Sequence, residues 1–276
     1  MSGAFVQLQR LLPQHAVSRL LGRIANSSLL SRPLIHAFSA AYGVSLQEAE
    51  RQTIDEYRTF NDFFTRALAS GARPLPDDVA AFVSPVDGAV SQLGTIHDGQ
   101  LLQAKGIRYP LNSLLLDSRA DRVFDGGWFA TIYLAPSDYH RVHVPANGTL
   151  ARSVAVPGEL FSVNARTEAG VERLFCRNER LVMHFKTAVG PLALVMVGAL
   201  IVASIETVFD SPRSPYIKEA IATHDRVFTR GEEIGRFLLG STVIVVLPRD
   251  TIRPNAKLAV GYRVRMGESI GTLTPG

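Results

Sequence analysis

Two hydrophobic rhythms divide the chain. Over residues 4–30, Leu8, Leu11 and Leu12, then Val17, Leu20, Leu21 and Ile24, recur at three- and four-residue spacings. That is the period of a helix with one apolar face, and Pro13 marks a break or a new first turn within it. Pro33 to Ala41 reads as a further short helix ended by Gly43. Ser45 and Glu48 form a capping box that starts a helix over 46–51, and a last helix, about 61–69, stops before Gly71.

The run from Gly71 to Asp78 (GARPLPDD) is the clearest linker in the chain. Beyond it the texture changes to short β-branched runs punctuated by glycine: Ala89-Val90, Trp128 to Leu134, Leu150 to Val156, Leu181 to Lys186, Ala193 to Val197, Ala199 to Ile205 and Val243 to Leu247. These predict an antiparallel β domain. The fold class expected is α+β, an N-terminal helical segment (1–70), a linker (71–81) and a β-rich catalytic domain (82–276). Gly231-Glu232-Glu233-Ile234-Gly235 recurs as Gly267-Glu268-Ser269-Ile270-Gly271. Such turns resemble those closing the hairpins of lipoyl and biotinyl carrier domains, which implies a barrel-sandwich architecture. No Met-Lys-Met acceptor lies beside them, so they read as architecture.

Thr187 to Ile205 carries no charge and is long enough to span a bilayer. Its Val and Ile content, the Gly190-Pro191 start and the central Gly198 fit two buried strands better than one helix. Met1 to Arg10 lacks the apolar core of a secretory signal. With 276 residues, 46% apolar and 20% charged, the chain can bury a sizeable core. A net charge of +4 suits an anionic membrane surface or nucleic acid. No zinc-finger or RNA-binding signature supports the latter. Cys176 is the single cysteine, which excludes an internal disulfide and a multi-cysteine metal site, and fits a reducing compartment.

Candidate chemistry lies in Ser84-Pro85-Val86-Asp87-Gly88, in Asp138-Tyr139-His140-Arg141-Val142-His143 and in Leu239-Gly240-Ser241-Thr242. An acid, a histidine and a serine far apart in sequence are what a base-activated serine nucleophile needs. Each also has a plainer reading. Asp87 suits a turn, the two histidines a surface pair or a metal site lacking nearby ligands, and Ser241 a strand end.

Together SPVDG, DYHRVH and LGST, with Phe60 to Arg66 (FNDFFTR) and Pro157 to Asn164 (PGELFSVN), resemble the phosphatidylserine decarboxylases over nearly the whole chain. The resemblance implies that Ser241 attacks the carbonyl of Gly240, with His143 as base and Asp87 orienting it. Glycine at 240 leaves the approach unobstructed. The resulting ester eliminates, leaving a β chain (1–240) and an α chain (241–276) that begins with a pyruvoyl group made from Ser241. That cofactor would take the amine of phosphatidylserine as a Schiff base and accept the electrons released with CO₂, yielding phosphatidylethanolamine. His140 is the implied proton donor, and no metal is implied. The implied setting is peripheral, on the cytoplasmic face of the cell membrane, with the α and β chains as a heterodimer that is open to further dimerisation. The 4–30 stripe fits a helix packed on its own domain and equally an interfacial helix with Arg10, Arg19 and Arg23 at lipid headgroups; the lipid substrate favours the second. Two alternatives are a serine hydrolase acting on external substrates, whose Gly-x-Ser-x-Gly elbow is absent, and a non-enzymatic membrane-binding, carrier-like β domain.

Overall fold

The computed structural model describes residues 7, 9, 13–199, 205–212, 214–238 and 241–274. Pro13 is the N-cap of helix α1 (Gln14–Ala25), so of the two expectations there, a break or a new first turn, it marks the first turn of the helix that follows it. The earlier residues of the apolar stripe, including Leu8, Leu11 and Leu12, lie outside the described residues, as does Arg10. Helix α2 (Ser31–Tyr42) stops at Gly43, whose φ of 66° is the left-handed cap that glycine adopts without a Cβ penalty. Helix α3 (Phe60–Phe64) is capped by the Thr59 hydroxyl, which accepts the Asp62 N–H at 3.1 Å. Phe38 of α2 stands edge-on to Phe60, Phe63 and Phe64, and with Ile35 and Tyr57 they form a small aromatic core.

Two expected helices are corrected. Residues 46–51 form no helix: Glu48 turns to Arg73 and Arg265, and Ala49 makes an antiparallel bridge with Leu68. The same bridge shortens the helix expected over 61–69, because the Glu50 N–H donates to the Ala67 carbonyl and the Ala69 N–H to that of Glu48. Non-local pairing has displaced local helix propensity.

The rest is β structure. In chain order the strands are β1 (Ala81–Val83), β2 (Gly88–Thr95), β3 (Gln100–Leu102), β4 (Arg108–Pro110), β5 (Trp128–Leu134), β6 (Arg141–His143), β7 (Gly148–Val156) and β8 (Arg180–Thr187). There follow β9 (Gly190–Val197), β10 (Ile205–Thr207), β11 (Ala220–Phe228), β12 (Glu233–Phe237), β13 (Ser241–Leu247), β14 (Ile252–Pro254), β15 (Arg263–Val264) and β16 (Ser269–Leu273). Eight form one antiparallel sheet in the order β11-β7-β8-β9-β13-β5-β2-β15. This sheet is open, not closed into a barrel. Two three-stranded sheets, β10-β12-β6 and β1-β16-β14, send Val142, Ile205, Ile234, Phe82 and Ile270 into the core on one of its faces. Its other face is covered by residues such as Leu111, Phe124, Phe161 and Phe175.

Strand β13 is therefore buried on both sides. Val243, Val245 and Leu247 enter one core, and Ile244 and Val246 the other. Strand β9 alternates likewise, Leu192, Leu194 and Met196 against Ala193, Val195 and Val197. Burial on two faces produces an unbroken apolar run. It accounts for residues 190–197 of the uncharged segment, while 200–204 lie outside the described residues. Among the described residues no helix is long and apolar enough to cross a membrane.

The two Gly-Glu-x-Ile-Gly stretches are turns leading into β12 and β16, entered through Gly231 (φ 83°) and Gly267 (φ 85°). Both glycines face Leu75, to whose side chain a Cβ would come within 2.5 and 3.1 Å. Residues 73–75 are thus pinned against the β structure.

Candidate active site

Strand pairing draws the candidate residues to one end of the large sheet. Ser241, first residue of β13, pairs with Leu134, last residue of β5. Strand β2, on the other side of β5, begins at Gly88, directly after Asp87. The loop leaving β5 carries Asp138, Tyr139 and His140 into β6, and the His143 N–H donates to the Pro85 carbonyl at 2.8 Å. Gly240 lies outside the described residues.

The hydrogen bonds do not join the four residues to one another. Ser241 is fully buried and its Oγ has no partner. His143 Nδ1 lies 2.7 Å from the Gly231 carbonyl, which can only accept, so the proton sits on Nδ1. Its Nε2 then accepts from the Tyr139 hydroxyl at 2.9 Å. Burial holds the His143 pKa below the ordinary histidine value, against the Gly231 bond and the nearby Glu233 and Asp87 carboxylates, which favour the charged ring. Asp87 itself is bound elsewhere. Arg73 reaches it with two nitrogens, at 3.2 and 2.5 Å, and the Met266 N–H at 2.7 Å. The sequence places Asp87 on His143 as its orienter; here the Gly231 carbonyl holds that ring, and Asp87 acts on it only through space.

His140 is in a different state. It is fully buried, with Nδ1 donating to the Asp138 carbonyl at 2.8 Å and Nε2 left with no partner. Its ring centre lies 4.0 Å from that of Phe64. Burial pushes its pKa down to about 3, so the ring is neutral at physiological pH and presents a free lone pair. Two orphaned polar atoms, Ser241 Oγ and His140 Nε2, thus lie in loops and strands at the same sheet end. A buried polar group without a partner costs about 1–3 kcal/mol, so each calls for a reason such as a chemical role.

The FNDFFTR stretch has a part that its residue types did not reveal. Phe64 backs His140, Arg66 donates to the Ser137 and Asp138 carbonyls at 2.8 and 3.3 Å, and the Thr65 carbonyl accepts from Arg141 Nε at 2.8 Å. Asp138 caps its own loop, accepting the Ala135 N–H at 2.7 Å, and pairs with Arg263. Tyr139, Arg66 and Arg73 were missed as site residues. The adjacency of Tyr139 to His140 and the charge of Arg66 in an otherwise apolar stretch were the signals available.

A sequence profile of phosphatidylserine decarboxylase matches residues 60–272, and a second, described as PSD, matches residues 4–43. The chain belongs to the phosphatidylserine decarboxylase family. It is similar to the phosphatidylserine decarboxylase proenzyme of Psychrobacter arcticus, 51% identical over 269 residues, 96% of each chain. The proenzyme of the same name from Alcanivorax borkumensis is 48% identical over 282 residues, covering 98% of this chain and 96% of its own. That of Acinetobacter baylyi is 44% identical over 272 residues, 98% of this chain and 95% of its own. Membership makes this chain an enzyme of the decarboxylase class and a zymogen type.

Proposed function

We propose that the chain cleaves itself between Gly240 and Ser241 and then decarboxylates phosphatidylserine to phosphatidylethanolamine. The observation that carries this reading is the Ser241 hydroxyl, buried and unpartnered at the head of β13. A serine with no exposure suits attack on its own preceding carbonyl and not on a substrate arriving from solvent, which weighs against the external hydrolase. In the first step Ser241 Oγ bonds to the Gly240 carbonyl carbon and loses its proton to a histidine. The Gly240–Ser241 C–N bond breaks as the amine takes up a proton, and an ester remains. Loss of the Ser241 α-proton and of the Gly240 carboxylate completes cleavage. The freed α-chain end converts, with water and loss of ammonia, to pyruvoyl.

That group supplies an electrophilic carbonyl and an electron sink. Its fit here rests on the orphaned Ser241 hydroxyl, the atom lost when the group forms. His143 is the assigned base for cleavage: it must exchange its Tyr139 contact for the Ser241 hydroxyl, and the Asp87 charge stabilises the imidazolium. His140 is assigned to hold and deliver the proton to the carbon that lost CO₂. In the uncleaved state its proton is on Nδ1, so this role calls for the Nε2–H tautomer once the chain is cut. Separation at 240/241 frees both chain ends and opens the buried site to substrate.

The N-terminal helices supply the lipid-facing surface in this reading, and the chain divides by role into 1–70, 71–81 and 82–276. An apolar cavity of about 320 Å³ lies between α1 and α2, lined by Leu21, Ile24, Leu34, Phe38 and Phe60. Leu29, in the connection between α1 and α2, is 90% exposed, and Leu20 and Leu30 are also exposed. Arg23 lies in the last turn of α1, whereas Arg32 is taken by Asp55 at 2.9 Å.

Intact mass of the purified protein decides the cleavage. Two fragments are expected, the smaller running from 241 to Gly276 with a blocked pyruvoyl N-terminus, and Ser241→Ala gives one full-length chain. Efficient cleavage of Ser241→Ala would sink the mechanism. CO₂ release from phosphatidylserine by the cleaved protein tests the reaction.

A further inference from the structure

A cavity of about 450 Å³ opens beside the candidate site, between the N-terminal segment and the β structure. Its wall begins at Asp138, whose carboxylate holds the N–H of Ala135, the residue after the strand partner of Ser241. Across the sheet, Thr242 pairs with Tyr133, Tyr133 with Ala89 and Ala89 with Arg263, another wall residue. Three strand spacings put Arg263 about 14 Å from Thr242 along that row. The cavity therefore flanks the reactive end of β13.

Its charges do not balance. Arg66, Arg73, Arg263 and Arg265 face Glu48, Asp87 and Asp138, so four guanidiniums meet three carboxylates. Arg73 bonds Asp87 and Glu48, Arg265 bonds Glu48, and Arg263 bonds Asp138. Arg66 is the one left over. Only 5% exposed, it has backbone carbonyls on Nη2 and no partner for Nη1. A buried guanidinium with an unpaired N–H and no carboxylate bound to it is costly to keep charged unless an anion completes it. Guanidiniums are also the side chains best matched to phosphate oxygens.

We propose that this cavity binds the phosphodiester of a lipid head group, with Arg66 as the buried positive charge in its wall and Arg263 and Arg265 at its mouth. The excess of one positive charge matches a monoanion. The inference rests on the phosphatidylserine reading for the lipid that fills the site, and it assigns to that lipid the part of the head group that does not react. Holding the phosphodiester beside β13 leaves the serine amine and carboxylate free to reach residue 241. Keeping arginines on the phosphate also keeps them off the departing carboxylate, whose loss an ion pair would oppose.

The test is calorimetric titration of the full-length, uncleaved Ser241→Ala chain with glycerophosphoserine, glycerophosphocholine and inorganic phosphate at low ionic strength. Both glycerophosphodiesters should bind, more tightly than inorganic phosphate, and binding should weaken with added salt. Arg66→Gln should weaken it by at least tenfold. Should that variant fold poorly, Arg265→Ala, at an exposed position, should weaken binding severalfold, and Glu48→Gln, which adds net positive charge, should tighten it severalfold. Absence of diester binding, inorganic phosphate binding as tightly as the diesters, or affinities unmoved in Arg265→Ala and Glu48→Gln would each overturn the proposal. The Ser241→Ala chain carries no reactive carbonyl, so these titrations are independent of cleavage. Failure of the wild-type chain to cleave or to release CO₂ would overturn the activity and leave the binding result standing.

Discussion

Asp87 and Asn147 hold equivalent places in an internal two-fold repeat. Each Oδ1 accepts a backbone N–H at 2.7 Å, from Met266 and from Arg230, the residue before the glycine of each Gly-Glu-x-Ile-Gly turn. The surrounding bonds repeat as well. The Val83 N–H meets the Pro145 carbonyl as that of His143 meets Pro85, and Ser84 bonds Glu268 as Val144 bonds Glu232. An amide thus suffices to clamp the turn, and what distinguishes Asp87 is its charge, bound to Arg73 and felt by His143.

Asp87→Asn should therefore keep the fold and lose the chemistry. We expect a stability loss of about 1–3 kcal/mol from the weakened Arg73 contact. Self-cleavage, followed by mass spectrometry over time, should slow at least tenfold because the imidazolium loses its counter-charge. Cleavage at the wild-type rate would remove Asp87 from the mechanism.

The two histidines should separate by activity. His143→Ala is expected to remain a single chain. His140→Ala should still cleave, while its release of CO₂ falls by about 10²–10⁴-fold, the usual worth of a positioned general acid. An uncleaved His140→Ala chain would show instead that the free Nε2 of His140 serves the cleavage.

Acid should destabilise the protein through its buried rings. Burial pushes His140 down to about 3 and His184 to about 4, so below the unfolded histidine value near 6.5 the unfolded chain takes up protons that the native chain does not. Each contributes a loss of about 1.4 kcal/mol per pH unit as pH falls through that window. Glu168 acts oppositely: burial pushes it up to about 7, so the native chain holds its proton over the range 4.5 to 7 and gains stability as pH falls. Denaturant titrations at pH 7 and pH 5 should show a net loss, steeper in Glu168→Gln. An equal slope in that variant would mean that Glu168 ionises normally.

Gly88→Ala should be among the most damaging small changes. A Cβ there would stand 2.4 Å from the Tyr133 carbonyl oxygen and 2.8 Å from Ile132 Cγ2, in the strand that pairs with Ser241. Backbone cannot yield as a side chain does, so we expect about 1–3 kcal/mol of destabilisation together with slowed cleavage. Thermal melting and fragment yield would report both, and an unchanged melt would show that β2 and β5 can part at that point.

Membrane attachment should depend on the exposed leucines. Replacing Leu20, Leu29 and Leu30 by serine should leave the melting temperature nearly unchanged while vesicle sedimentation weakens at least tenfold, since a buried leucine is worth about 1.5–3 kcal/mol. Undiminished binding to anionic vesicles would move the lipid-facing surface elsewhere.

What the sequence determined by itself was whatever depends on near neighbours or on residue type. The five residues Val243 to Leu247, the strand Trp128 to Leu134, the glycine that ends α2 and the paired Gly-Glu-x-Ile-Gly turns follow from β-branching, apolar runs and left-handed glycines. The motifs likewise carried the family. Tertiary structure decided everything that depends on which distant group arrives first. Glu48 left its expected helix because Arg73 and Arg265, 25 and 217 residues away, offered charge where the cap offered one N–H. For the same reason Arg73 and not His143 holds the Asp87 carboxylate, the Gly231 carbonyl fixes the His143 tautomer, and Phe64 covers His140. Local pattern sets what a segment can form, but a buried charge or ring nitrogen takes its state from the partners that folding brings within about 3 Å of it.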